Sequence, residues 1–237
     1  VASGRADGRI DRLANHLKQS FPEKIFVSLQ SEMEPQVNPN AGSGRTAKDY
    51  AAMYRHVVDR MKAKGVSNII WVLSYGGYPK WSTQPWFSDL YPGDRYVDWI
   101  GWHPYTTTSP GGQDFKALMN TTYDSRDKSF TGMYNYLTTR HPGKPLMLSE
   151  FGVFHIPGAT GADLRRKAAF YDSTVAQMEQ FPAIKAIVKF DTDYDEHKGN
   201  GYDISVFSEA GNLAAFRRLS QDPSLINPAP QIGAVQR

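Results

Sequence analysis

The chain has 237 residues, enough for one large domain or two small ones, with 40% apolar residues and a net charge of only +3. The cations are scattered, with no run beyond Arg165-Arg166-Lys167, so the charge pattern gives no footprint for nucleic acid, and no apolar stretch reaches the ~18 residues of a membrane span. There is no cysteine, which excludes disulfides and thiol chemistry.

In chain order, Arg9–Gln19 sets Ile10, Leu13 and Leu17 on one helical face. Ile25–Ser31 then reads as a strand closed by Glu32. Along it Ser28, Gln30 and Glu32 share one face. Thr46–Lys64 repeats apolar residues at i, i+3, i+4 behind Thr46 as N-cap. Val66–Ser74 is a second strand, and the long loop behind it holds Trp81 and Trp86. Tyr96–Tyr105 is a third, with Trp99, Gly101, His103 and Tyr105 alternating onto one face. Helical period returns over Lys128–Arg140. Pro145-Leu-Met-Leu-Ser-Glu150-Phe-Gly-Val153 follows as an apolar strand carrying a carboxylate with Gly152 behind it. Asp163–Gln180, the strand Ile184–Asp191 and Ala210–Leu219 complete the set.

Strand and helix alternate, which argues for βα units on a parallel sheet. Loops after strands are long and carry the unusual residues, whereas those before strands are short, the asymmetry of a barrel whose site lies at the carboxyl face. A (β/α)8 TIM barrel needs eight units and only five are found, so residues 1–222 are expected to be the carboxyl-terminal part of a barrel, strands 4 to 8. Strands 1 to 3 would then come from a separate amino-terminal segment, and 223–237 would be a loosely attached tail.

Glu32 and Glu150 at strand ends suggest paired-carboxylate chemistry, one acid protonating a leaving oxygen and the other carboxylate attacking or activating water. Glu34 competes with Glu32 for that role. Trp81 and Trp86 are candidate sugar platforms, and Phe154 and His155 candidate cleft residues. Asp191-Thr-Asp-Tyr-Asp-Glu-His197 crowds acids after the last strand but lacks the glycine and terminal glutamate of a calcium loop, and is expected to offer polar contacts to sugar hydroxyls. No metal site and no cofactor is expected.

Five blocks, in order, resemble glycoside hydrolase family 26, the β-mannanase family of clan A. Ser31-Glu32-Met33-Glu34 is similar to that family's His-Glu-Met-Asn signature. Asn68–Ser74 resembles its fifth strand, and Tyr91-Pro-Gly-Asp94 with Val97–Gly101 its approach to the sixth. Lys144–Gly152 resembles its nucleophile strand and Ile184–Asp191 its eighth. The resemblance implies Glu32 as general acid/base, Glu150 as nucleophile and Tyr105 as hydrogen-bond donor to that nucleophile. Ser31, Trp81, Trp86, His103, Phe154 and Asp191 would line the substrate. The reaction implied is retaining cleavage of β-linked polysaccharide, a mannan or related β-glycan, by a secreted or cell-surface bacterial enzyme. The chain departs from the signature at Ser31, where the family has His, and at Glu34, where it has Asn. Two alternatives stand beside this: a barrel that binds polysaccharide without cleaving it, and a metal-dependent barrel hydrolase using Asp191, Asp193 and His103.

Overall fold

A computed structural model of the chain describes residues 1–109, 111–155, 158–194, 201–223 and 225. These form two compact units, the first of residues 1–104, 119–151 and 183–189, the second of 105–118, 152–182 and 190 onward. Asp195, Glu196 and His197 of the acidic loop, and nearly all of the expected tail, lie outside the described residues.

The first unit is an α/β layer. Helix α1 (Asp7–Ser20) precedes strand β1 (Ile25–Ser28), α2 (Ala47–Ala63) precedes β2 (Ile69–Tyr75), and the short α3 (Pro79–Ser82) and β3 (Trp99–Trp102) follow. After α5 (Met133–Arg140) come β5 (Leu146–Phe154) and β6 (Ile184–Lys189). The strands of this unit pair in parallel in the order β1-β2-β3-β5-β6, the order in which the unit's own strands occur along the chain. A doubly wound sheet reverses its order at a switch point. This sheet runs one way only, as the wall of a barrel does.

Helix α2 forms as its sequence dictates. Thr46 accepts from the Asp49 amide while the Asp49 carboxylate accepts from the Thr46 amide, a reciprocal box that satisfies two end donors. Its buried face is Tyr50, Tyr54, Val57, Val58 and Met61, the stripe expected from spacing. Arg60 clamps Asp11 of α1 with two bonds of 2.7 and 2.8 Å, and His56 meets Asp7 at 2.6 Å. Helix α1 is thereby held along α2.

Several expected boundaries move. Strand β1 ends at Ser28, not Ser31, because Gln30 and Glu32 adopt φ of +53° and +54°, which extended chain cannot continue through. The expected shared face of Ser28, Gln30 and Glu32 therefore does not exist. The expected strand Tyr96–Tyr105 is broken after Trp102, and Tyr105–Thr107 forms a separate strand, β4. The helix expected from Lys128 starts only at Met133, after Gly132 at φ +94°. A Cβ at Gly132 would sit 2.2 Å from the Asn120 Cα, so only glycine makes that turn. Glu150 lies inside β5, not at its end.

In the second unit β4 pairs in parallel with residues Gly152–Phe154 of β5. Helices α6 (Gly161–Gln177) and α7 (Ala210–Ser220) pack together, with the Tyr171 and Phe216 rings 5.4 Å apart. A short helix not foreseen, α4 (Phe115–Met119), seats the Phe115 ring edge-on to Phe181 at 5.6 Å. Lys167 of α6 is fully buried, its ammonium held by the carbonyls of Asp203 at 3.1 Å and Ser205 at 2.9 Å. These bonds replace the water that a buried cation forgoes.

Candidate active site

Three side chains of the first unit converge. Beyond β1 the chain turns through its two left-handed residues, and the Glu32 amide then docks on the Ser74 carbonyl of β2 at 3.2 Å. Strand β3 ends at Trp102, so His103 is the first residue past its carboxyl end. In β5 the register against β6 shifts between Leu148 and Phe151, so Glu150 sits on an irregularity of the kind that re-aims side chains beside sites.

His103 Nδ1 lies 2.8 Å from Glu32 Oε1 and 3.6 Å from Glu150 Oε2, and the three facing atoms are all within 4.8 Å of one another. The histidine ring is 2% exposed, whereas the Glu32 and Glu150 side chains are 39% and 35% exposed. The carboxylates can thus meet a solute while the imidazole stays beneath them. Behind the ring, His103 Nε2 contacts Ser74 Oγ at 2.9 Å, and Ser74 Oγ contacts Ser149 Oγ at 2.6 Å. The two hydroxyls, the imidazole and the Glu32 carboxylate thus form one continuous polar network, whose members polarise one another.

Glu34 is elsewhere. It is wholly buried, its two carboxylate oxygens accepting from the amides of Gly76 at 3.0 Å and Gly77 at 2.9 Å. Burial pushes its carboxyl above the ordinary range, against the pull of those two amides and with a further upward push from Glu32. It therefore pins the turn after β2 and does not compete with Glu32 for a solute. Tyr78, on the same turn, has its phenol pushed up to about 12, first by burial and then by the charge of Glu32.

Ser31 is exposed, with its hydroxyl 3.2 Å from that of Ser28. Trp81 and Trp86 stand half-buried with ring centroids 6.5 Å apart and planes tilted by 38°. Lys80 holds its ammonium 5.5 Å over the Trp81 ring.

The remaining candidates belong to the second unit. The Tyr105 ring lies against Gly152, where a Cβ would approach it to 3.0 Å, and meets Phe190 edge-on at 6.3 Å. Phe154 packs on Tyr202 at 4.8 Å. Asp191 accepts from the Val206 amide at 2.9 Å. His155 is buried with Nδ1 3.0 Å from the Thr108 hydroxyl, and burial followed by the Lys167 charge lowers its pKa to about 4.

Among the described residues, the side chains close enough to share an ion are Glu32, His103 and Glu150; Asp191 and Asp193 are not in that group. At 2.8 Å, His103 and Glu32 stand at hydrogen-bonding distance, and an ion would have to displace that bond. The sequence reading put both glutamates at strand ends and His103 on one face of the third strand. It passed over Ser74 and Ser149, which look like ordinary polar residues of strands.

Comparison with known proteins follows the same lines. Residues 5–141 match the family model for glycosyl hydrolase family 26. Endoglucanase H of Acetivibrio thermocellus is 28% identical over 165 residues, which is 67% of this chain and 17% of that protein. A mannan endo-1,4-beta-mannosidase of Bifidobacterium adolescentis is 30% identical over 108 residues, 45% of this chain and 10% of that protein. The chain thus spans a small part of the length of either relative. In structure it is similar to a modular endo-beta-1,4-mannanase from Cellulomonas fimi, with a TM-score of 0.61 at 20% identity over 94% of this chain and 48% of that one. A family 26 beta-mannanase from Bacteroides ovatus gives a TM-score of 0.57 at 19% identity. At such identities the likeness concerns the fold.

Proposed function

The chain belongs to glycosyl hydrolase family 26, and from that premise we propose that it carries the catalytic pair of a retaining glycoside hydrolase acting on β-linked polysaccharide, a mannan or related β-glycan. Glu150 is the nucleophile and Glu32 the general acid/base. Strands β1, β2, β3, β5 and β6 are strands 4 to 8 of a TIM barrel, with strands 1 to 3 supplied by a preceding segment. The enzyme acts outside the cell, where polysaccharide is met.

The observation that carries this reading is the spacing of the two half-exposed carboxylates, whose facing oxygens lie within 4.8 Å. Double displacement requires carboxyl groups about 5–5.5 Å apart, whereas direct attack by water requires about 6.5–9.5 Å to admit that water. At the short spacing Glu150 attacks the anomeric carbon as Glu32 protonates the departing oxygen. Glu32, now ionised, then takes a proton from the water that frees the sugar from Glu150. Trp81 and Trp86 offer flat apolar surface to sugar rings on the same unit.

The test is incubation with mannan, mixed-linkage β-glucan and xylan, scored by reducing ends, with the anomeric configuration of the first product read by NMR. Glu150→Gln is expected to abolish turnover, and Glu32→Gln to lower it by about 10²- to 10⁴-fold. Inverted product would overturn the double displacement. Saturable glycan binding without turnover by the wild type would instead favour a protein that holds polysaccharide and leaves it intact.

A further inference from the structure

We infer that Glu32 and His103 hold a single proton between them, and that a serine pair, Ser74 fully buried and Ser149 half-buried, sets this by fixing the direction of the hydrogen-bond chain behind the histidine. Its catalytic use rests on the reading of Glu32 as general acid; the proton arrangement itself does not.

The argument is a count of hydrogens. Ser149 Oγ donates to the Trp102 carbonyl oxygen at 3.4 Å, and a carbonyl can only accept. A serine hydroxyl has one hydrogen; with that of Ser149 placed on the Trp102 carbonyl, Ser149 accepts and Ser74 donates at their 2.6 Å contact. The hydrogen of Ser74 is then used. At 2.9 Å from His103 Nε2 its oxygen accepts, and Nε2 carries a hydrogen. A neutral imidazole has one N–H, so with Nε2 protonated Nδ1 is bare. The 2.8 Å contact from Nδ1 to Glu32 Oε1 then needs one more proton. Either Glu32 is the acid and donates to Nδ1, or the ring is an imidazolium and donates to the carboxylate. Both forms hold the same proton, and with it the Glu32, His103 and Glu150 group carries one net negative charge. Chemistry that needs one acid and one carboxylate starts from that charge state.

The surroundings protect this order. Ser74 is fully buried and His103 2% exposed, so solvent does not stand in for either. Ser149 can occupy its position because residue 101 is glycine: a Cβ there would lie 2.4 Å from Ser149 Oγ and 2.9 Å from its Cβ. His103 acts through Glu32 and is a positioning residue.

The chain reversed would read differently. Ser149 would donate to Ser74, Ser74 to Nε2, and Nδ1–H to an ionised Glu32, leaving no proton to give. Long-range ¹H–¹⁵N correlation of the ring nitrogens at pH 7, on full-length protein labelled with ¹⁵N-histidine and ¹³C-glutamate and assigned through the backbone, separates the two. The expected result is a protonated Nε2, with either a neutral ring facing a protonated Glu32 carboxyl or an imidazolium facing a carboxylate. A neutral ring protonated at Nδ1, or a neutral ring facing an ionised Glu32, overturns the inference. Ser149→Ala releases the hydrogen of Ser74 and is expected to abolish the Nε2–H signal in favour of Nδ1–H; an unchanged tautomer would overturn the role of the serine pair. The reducing-end assay is independent of these readings. Nε2–H in a protein that cleaves no glycan would remove only the catalytic use, and turnover with Nδ1–H would remove only the proton arrangement.

Discussion

At the scale of the residue, Glu34 is the instructive acid. Its neighbour two positions back is half-exposed and meets a histidine, whereas Glu34 is sealed under the turn that it ties down. Glu34→Gln keeps the shape but turns an amide donor toward a backbone donor, leaving one buried N–H unsatisfied, a loss of about 1–3 kcal/mol. The pH dependence follows from the raised carboxyl. The folded protein binds this proton more tightly than the unfolded chain, so the contribution is full below the unfolded value of about 4.3 and is lost as pH rises through the higher folded value. Urea unfolding at a series of pH values is expected to show the gap between wild type and Glu34→Gln narrowing from acid toward neutral pH. The sequence made Glu32 and Glu150 legible as carboxylates beside apolar, strand-like runs, although β1 stops four residues before Glu32 and Glu150 lies within β5. It could not show that Glu34 turns inward, since that depends on two amides more than 40 positions downstream.

At the scale of the element, the helices were legible and the strand ends were not. Helix α2 announces itself by its apolar spacing and by Thr46, and both serve as expected. Thr46→Ala should remove the reciprocal box and lower stability by about 0.5–2 kcal/mol, measured by thermal unfolding. Strand β1 was overread by three residues because Leu29, Gln30 and Ser31 alternate like a strand. Nothing in residue type forbids that, and the left-handed turns at Gln30 and Glu32 are imposed by the docking of the Glu32 amide on Ser74. Residues of this kind in left-handed conformation cost roughly 1–2 kcal/mol each, the sort of strain that tertiary contacts sustain at functional positions. Gly101 is the quiet partner in β3. Gly101→Ala drives a methyl into Ser149, and a loss of about 1–3 kcal/mol in denaturant unfolding is expected from the overpacking.

At the scale of the whole molecule, the parallel sheet of the first unit was legible from βα alternation, because each helix returns the chain to the amino end of a parallel neighbour, and the long loops after strands pointed to a one-way order. What alternation cannot give is the edge. Ile25 donates to the Asn68 carbonyl just before β2, so the backbone groups of Phe26 and Ser28 turn outward, and Phe26 is 50% exposed. At the opposite edge Val188 of β6 is 46% exposed. Bare edges flanked by apolar side chains are templates for further strands. In a protein carrying the three proposed preceding βα units, the amides of Phe26 and Ser28 are expected to exchange far more slowly than in the 237-residue chain; equal rates by hydrogen exchange would count against the continued sheet.

The second unit offers a probe of its own integrity. Lys167 has its ammonium capped by two carbonyls with no surface of its own. An acylating reagent that modifies the outer lysines at once should find this one only in molecules whose α6 has come away from residues 203–208. The mass of a single peptide, followed over time, would then clock the opening of that unit.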